Sequence, residues 1–167
     1  METLTLSSTL PVDHLPPTRA ISVEMVPTQA EIEGLIERFD FIAVDDVCAR
    51  LKVRRVAKDC WDVTGHLSAN VTQRCVVTGD PVPELVDFMI EERYVRHTED
   101  QDSVEVELDG VEPLVDGAID LGEMVTQSLG VAVTPWPRSE TATDHLESEE
   151  VKDNHPFASL AALKKPE

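Results

Sequence analysis

The most regular feature of the chain is an alternation that runs for fifteen residues, from Trp61 to Cys75. Trp61, Val63, Gly65, Leu67, Ala69, Val71, Gln73 and Cys75 hold the odd positions, while Asp62, Thr64, His66, Ser68, Asn70, Thr72 and Arg74 hold the even ones. Successive side chains of a strand point to opposite faces, so period two over this length predicts a long antiparallel strand with one buried and one wet face. Gly65 interrupts the apolar set and predicts a bulge or a sharp bend. Thr78-Gly79-Asp80-Pro81 has the composition of a turn. After it, Val86, Phe88, Ile90 and Tyr94 alternate with Asp87, Glu91 and Arg93 as a returning strand. Phe41 to Val56 reads as strand as well, and from Cys48 onward it sets Arg50, Lys52 and Arg54 on one face and Leu51 and Val53 on the other. Ile21, Val23 and Met25 predict a short strand; Val104, Val106 and Leu108 predict another, beyond an acidic loop over Thr98–Ser103.

Two stretches carry the helical period instead. Thr28 and Glu31 have capping-box spacing, and Ile32, Leu35, Ile36 and Phe39 form an apolar stripe that reads as core. Asp120 and Glu123 repeat that spacing ahead of Leu121, Met124, Val125, Leu129 and Ala132, and the helix must stop before Pro135-Trp136-Pro137. Prolines 11, 16, 17 and 27 keep the first residues extended. These elements predict an α+β fold: a strongly bent antiparallel sheet or partial barrel packed by two helices, with flexible N- and C-terminal segments. The boundaries expected are an extended segment over 1–19, the domain over 20–137, an acidic linker over 138–154 and a short C-terminal helix over 155–167.

Composition adds charge to this picture. The net charge is −19, from 33 acidic and 14 basic residues. Such a chain repels polyphosphate at long range and favours a basic protein as partner. The charge is also uneven: Thr98 to Asn154 holds 16 acidic and 2 basic residues, whereas Cys48 to Arg74 holds 6 basic and 2 acidic ones. Arg50, Lys52, Arg54, Arg55, Lys58 and Arg74 therefore form a basic island, a candidate surface for RNA or a partner. Two readings stand for it. The cations either pair with the surplus of carboxylates or grip RNA phosphates, since screening limits repulsion beyond roughly 8 Å.

Candidate chemistry is sparse. The chain has no phosphate-binding glycine loop, no nucleophile elbow and no paired-histidine metal motif. His14, His66, His97, His145 and His155 are scattered, and the acidic clusters lack the order of a calcium loop. Cys48, Cys60 and Cys75 are odd in number and include no C-x-x-C pair, so neither a disulfide framework nor a standard zinc site is indicated. Free thiols fit a reducing compartment. The N-terminus has neither the basic nor the apolar region of a signal peptide, and no apolar run approaches the roughly 20 residues of a membrane span. The expectation is a cytoplasmic, non-enzymatic protein with no cofactor, no metal, no membrane and no small-molecule substrate.

VTGHLSANVTQRCVVTGDPVPELVDFMIEERYV, DLGEMVTQSLGVAVTPWPR and the tail HPFASLAALKK together resemble the YceD family, the large ribosomal RNA subunit accumulation proteins, in an alphaproteobacterial-like form. Where many members have Cys-x-x-Cys, this chain has Thr72-Gln73-Arg74-Cys75, so only Cys75 remains, and it reads as a buried, inert thiol. The resemblance implies a part in the synthesis, processing or stability of large-subunit (23S) ribosomal RNA and supplies no catalytic residue. The implied partners are a basic ribosomal or assembly protein and pre-rRNA. Direct RNA binding by the basic strand face, and holding of a basic ribosomal protein, stand as alternatives. In the tail, Phe157 and Leu160 are candidate anchors and Lys164 and Lys165 a cationic end. The segment either folds back over an edge of the domain's sheet or serves as a tethered recognition helix.

Overall fold

A computed structural model of the protein describes residues 2–96 and 110–142. The expected strand over Val104–Leu108, the loop before it, most of the linker and the C-terminal segment with Phe157, Leu160, Lys164 and Lys165 lie outside the described residues.

The long alternation becomes the central strand. The strands are β1 (Glu2–Leu4), β2 (Thr9–Pro11), β3 (Ile21–Met25), β4 (Ala43–Ala57), β5 (Cys60–Arg74), β6 (Pro81–Val95), β7 (Val111–Pro113) and β8 (Ala118–Asp120), with helices α1 (Gln29–Phe39) and α2 (Leu121–Ala132). Six of the strands make one open sheet in the order β1-β3-β4-β5-β6-β7, and β2 pairs with β8 in a separate ribbon. β3 to β6 run antiparallel, as the alternation requires, but each outer pair, β1 with β3 and β6 with β7, is parallel. The sheet is therefore mixed, and it does not close.

Alternation decides the layers. Val23 and Met25, Ala49 and Leu51, Val63 and Leu67, and Val86 and Ile90 all point to one face and join a single core. Both helices cover that face. Leu35 of α1 and Leu121, Met124, Val125 and Leu129 of α2 are buried against it. The apolar spacing of both helices thus reports which side meets the sheet. Thr28 and Glu31 close the capping box of α1. In α2 only half of that motif forms: Asp120 accepts from the Glu123 amide at 2.9 Å, while the Glu123 carboxylate turns to Arg38 of α1, both guanidinium bonds being 2.7 Å. Phe39 lies over Gly130, where an added Cβ would come within 2.7 Å of its ring.

Gly65 departs from expectation. It pairs in regular register with Leu51 and Ile90, with no bulge. A Cβ there would press on the Arg50 carbonyl and sit 2.7 Å from Leu51 Cδ2, so the glycine serves close approach between strands. The irregularity falls on β4 instead, between Asp45 and Cys48, where Asp46 takes φ 53° and accepts from Asn70 Nδ2 at 2.8 Å. Asp is one of the few residue types that tolerate this left-handed backbone.

The extended N-terminal residues thread into the same body. β1 and β2 pair with β3 and β8, Val12 is 3% exposed, and the Ser7 amide donates to Glu31 at 2.7 Å. Gly122 lets the Leu6 carbonyl lie on the first turn of α2, in space a Cβ would occupy.

Candidate functional site

The face of the sheet opposite the helices is open among the described residues, and the basic strand lies on it. Arg50, Lys52 and Arg54 are exposed at alternate positions of β4, spaced about 7 Å apart along the strand. Each stands in a cross-strand row: Glu24, Arg50, His66 and Met89; Ser22, Lys52, Thr64 and Glu91; Arg54, Asp62 and Arg93. The rows supply counter-charges. Arg50 Nε is 3.0 Å from Glu24, and Arg54 is 4.0 Å from Asp62, whose carboxylate also accepts from Arg93 at 2.7 and 3.2 Å. His66 pairs with Asp87 on the same face. Lys52 has no ion-pair partner among the described residues.

The other members of the basic island scatter. Arg55 turns toward the opposite side, where its guanidinium lies 5.7 Å from the Trp61 ring and Nε donates to the Ala57 carbonyl at 3.2 Å. Arg96 approaches the same ring at 5.7 Å and is held by Asp13. Lys58 sits in the β4–β5 turn, and Arg74 ends β5 eight residues beyond His66, about 26 Å along the strand. The structure brings Arg50, Lys52 and Arg54 together and leaves Arg55, Lys58 and Arg74 apart from them.

Cys75 follows β5 and is 4% exposed, buried as its phase predicts. Its surroundings were not legible in the sequence. The turn after it folds back on the sulfur, with the Val77 and Thr78 amides donating at 3.4 Å, and the Ser139 amide donates at 3.3 Å from the segment leaving α2. The Val76 amide donates to the Pro137 carbonyl at 2.9 Å and fastens the same segment. Hydrogen bonding from Thr78 and Ser139, opposed by burial, lowers the Cys75 thiol to about 6. Burial pushes Cys48 and Cys60 the other way, above the ordinary thiol value, with Glu24 and Asp62 adding to the effect. Among the described residues no group of three or more His, Cys, Asp or Glu side chains is placed to hold a metal ion.

Over residues 63–164 the chain matches the family model described as "Large ribosomal RNA subunit accumulation protein YceD". The match takes in most of β5 and all of β6 and α2, which frame the covered face of the sheet. No curated protein and no solved structure matches the chain.

Proposed function

The chain belongs to the YceD family of large ribosomal RNA subunit accumulation proteins, and from that premise we propose that it acts in that accumulation by engaging a basic protein of ribosome assembly. The family's description names large ribosomal RNA subunit accumulation and no catalysed reaction. The observation that carries the finer reading is electrostatic. A chain with net charge −19 attracts cationic polypeptide and repels bare phosphate. A ribosomal setting supports a cytoplasmic location, and no helix among the described residues is long and apolar enough to cross a membrane.

A second reading is favoured by the row of Arg50, Lys52 and Arg54 on an open sheet face, which could lie along an RNA backbone. Against it, Arg50 and Arg54 already have carboxylate neighbours. One comparison separates the two. Tagged chain is sedimented with large-subunit precursors from growing cells, as wild type and with Arg50, Lys52 and Arg54 all changed to Glu. Co-migration that survives the triple change, together with pull-down of a partner that survives ribonuclease, supports the protein partner. Loss on either treatment favours direct RNA contact. Recovery of one basic ribosomal protein without particles favours a holding role.

A further inference from the structure

The covered face of the sheet is not covered to its edge. Between α2 and the strands β6 and β7 a groove of about 310 Å³ remains. Its floor is apolar, formed by Phe88 and by Met124, which is 5% exposed. Val115 and Val131 stand on its walls at 69% and 76% exposure. Four carboxylates, Glu92, Glu112, Asp120 and Glu123, also line it, and no Lys, Arg or His does.

Two of those carboxylates are engaged. Asp120 caps α2, and Glu123 is held by Arg38 and by Gln127 at 2.9 Å. Glu92 and Glu112 have neither an ion pair nor a hydrogen bond among the described residues. Burial, then the charge of Glu112, raises Glu92 above the usual carboxylate range. Tyr94 also lines the groove; it is 9% exposed, and its hydroxyl has no hydrogen-bond partner among the described residues. The hydroxyl keeps some exposure, so a donor or acceptor brought by a ligand can reach it. Uncompensated negative charge beside an apolar floor repels nucleic acid and anionic lipid. It suits a body that is apolar on one side and cationic on the other.

We propose that this groove receives a lysine- or arginine-bearing segment of a partner polypeptide, with an apolar side chain on Phe88 and Met124 and its cations at Glu92, Glu112 and the Tyr94 hydroxyl. The inference rests on the reading of a basic protein partner and gives that partner a seat. An incoming cation would relieve the repulsion between the two carboxylates.

The test is a calorimetric titration of the full chain with a short amphipathic lysine–leucine peptide, and with a glutamate–leucine peptide as control. Glu92→Gln with Glu112→Gln is compared with Glu33→Gln and Glu37→Gln, two exposed residues of α1, so both double variants lose the same formal charge. The groove pair should weaken lysine-peptide binding about tenfold while the α1 pair changes it less than about twofold. Val131→Ser, at an exposed position, should weaken it severalfold without altering the salt dependence. Equal weakening by both double variants, or none by the groove pair, overturns the proposal. Co-sedimentation with large-subunit precursors keeps the two levels apart. If the groove pair co-sediments as wild type does, the groove falls and the basic partner stands. If the wild type captures no basic protein in cells, that broader reading falls, whatever the peptide does.

Discussion

On the open face of the sheet Arg50, Arg54 and Arg93 each have a carboxylate within 4.0 Å, whereas in the groove on the covered face Glu92 and Glu112 meet no cation among the described residues. The chain has more than twice as many acidic as basic residues, yet its surplus is not spread evenly over these two regions. The cations are concentrated on β4 and draw neighbouring strands' carboxylates into compensated rows. The groove beside β7, away from β4, keeps Glu92 and Glu112 without a cation among the described residues. A basic strip in an acidic protein is therefore a poor guide to where a polyelectrolyte binds. The informative place is where charge goes unanswered.

The largest effect should come from the buried side. Val71 is 1% exposed on β5, and Val71→Asp places an unpaired carboxylate in the core at a cost of more than about 4 kcal/mol. Chemical denaturation should find the variant unfolded or nearly so. His66→Ala, five residues away on the open face, should change the unfolding free energy by less than about 0.5 kcal/mol. Similar losses at both sites would mean that the two faces are wrongly assigned.

Gly122→Ala should cost roughly 1–3 kcal/mol through overpacking, because the new methyl meets the Leu6 carbonyl. Hydrogen exchange should locate the loss in β1 and β2 and leave β4 to β6 protected. Uniform loss of protection would show that the N-terminal strands are integral to the cooperative unit.

A smaller, pH-dependent effect is expected at the rim of the covered face. Hydrogen bonding from Arg38, then Gln127, holds the Glu123 carboxyl at about 2, below its ordinary 4.5. A depressed carboxylate stabilises the fold above its unfolded value, and that contribution fades as pH falls from 4.5 toward 2. Both side chains are more than two-fifths exposed, so solvent screening limits the pair to about 0.5–1 kcal/mol. Arg38→Ala should therefore destabilise the protein at pH 7 by that amount, and the difference should shrink in acid. A difference that grows in acid would refute the assignment.

The subtlest measurement concerns the cysteines. Thiolate absorbance of the reduced chain should rise in one step near pH 6, from Cys75, and again above 9, from Cys48 and Cys60. Cys75→Ser should delete only the first step. Since the folded thiol is lowered, Cys75 contributes stability fully above pH 9, and that stability is lost as pH falls toward 6.

Periodicity made most of the framework legible. The strand from Trp61, its return partner, the cationic face of β4 and both helix starts all follow from spacing, because period and capping are local properties. What spacing could not supply depends on contacts far apart in sequence. The Ser139 amide reaches Cys75 across 64 residues, and Arg38 reaches Glu123 across 85. Gly65 shows the limit within one strand: its composition signalled an irregularity, but whether a glycine bends a strand or admits a neighbour depends on Leu51 opposite it. The groove was illegible for the same reason. Glu92, Glu112 and Tyr94 are ordinary residues in sequence and become distinctive only when β7 lies beside the end of β6.

The β2–β8 ribbon has a consequence for how the molecule is made. Thr9 pairs with Asp120, and Leu10 with Ile119. β2 therefore leaves the translation machinery long before its partner exists. At about 5–20 residues per second the wait is roughly 5–20 s. During that interval β4, β5 and β6 can zip as successive hairpins, while Leu10 and Val12 remain without the ribbon that will shelter them. The long antiparallel strands can form before the ribbon does, and β2 is made early but placed late.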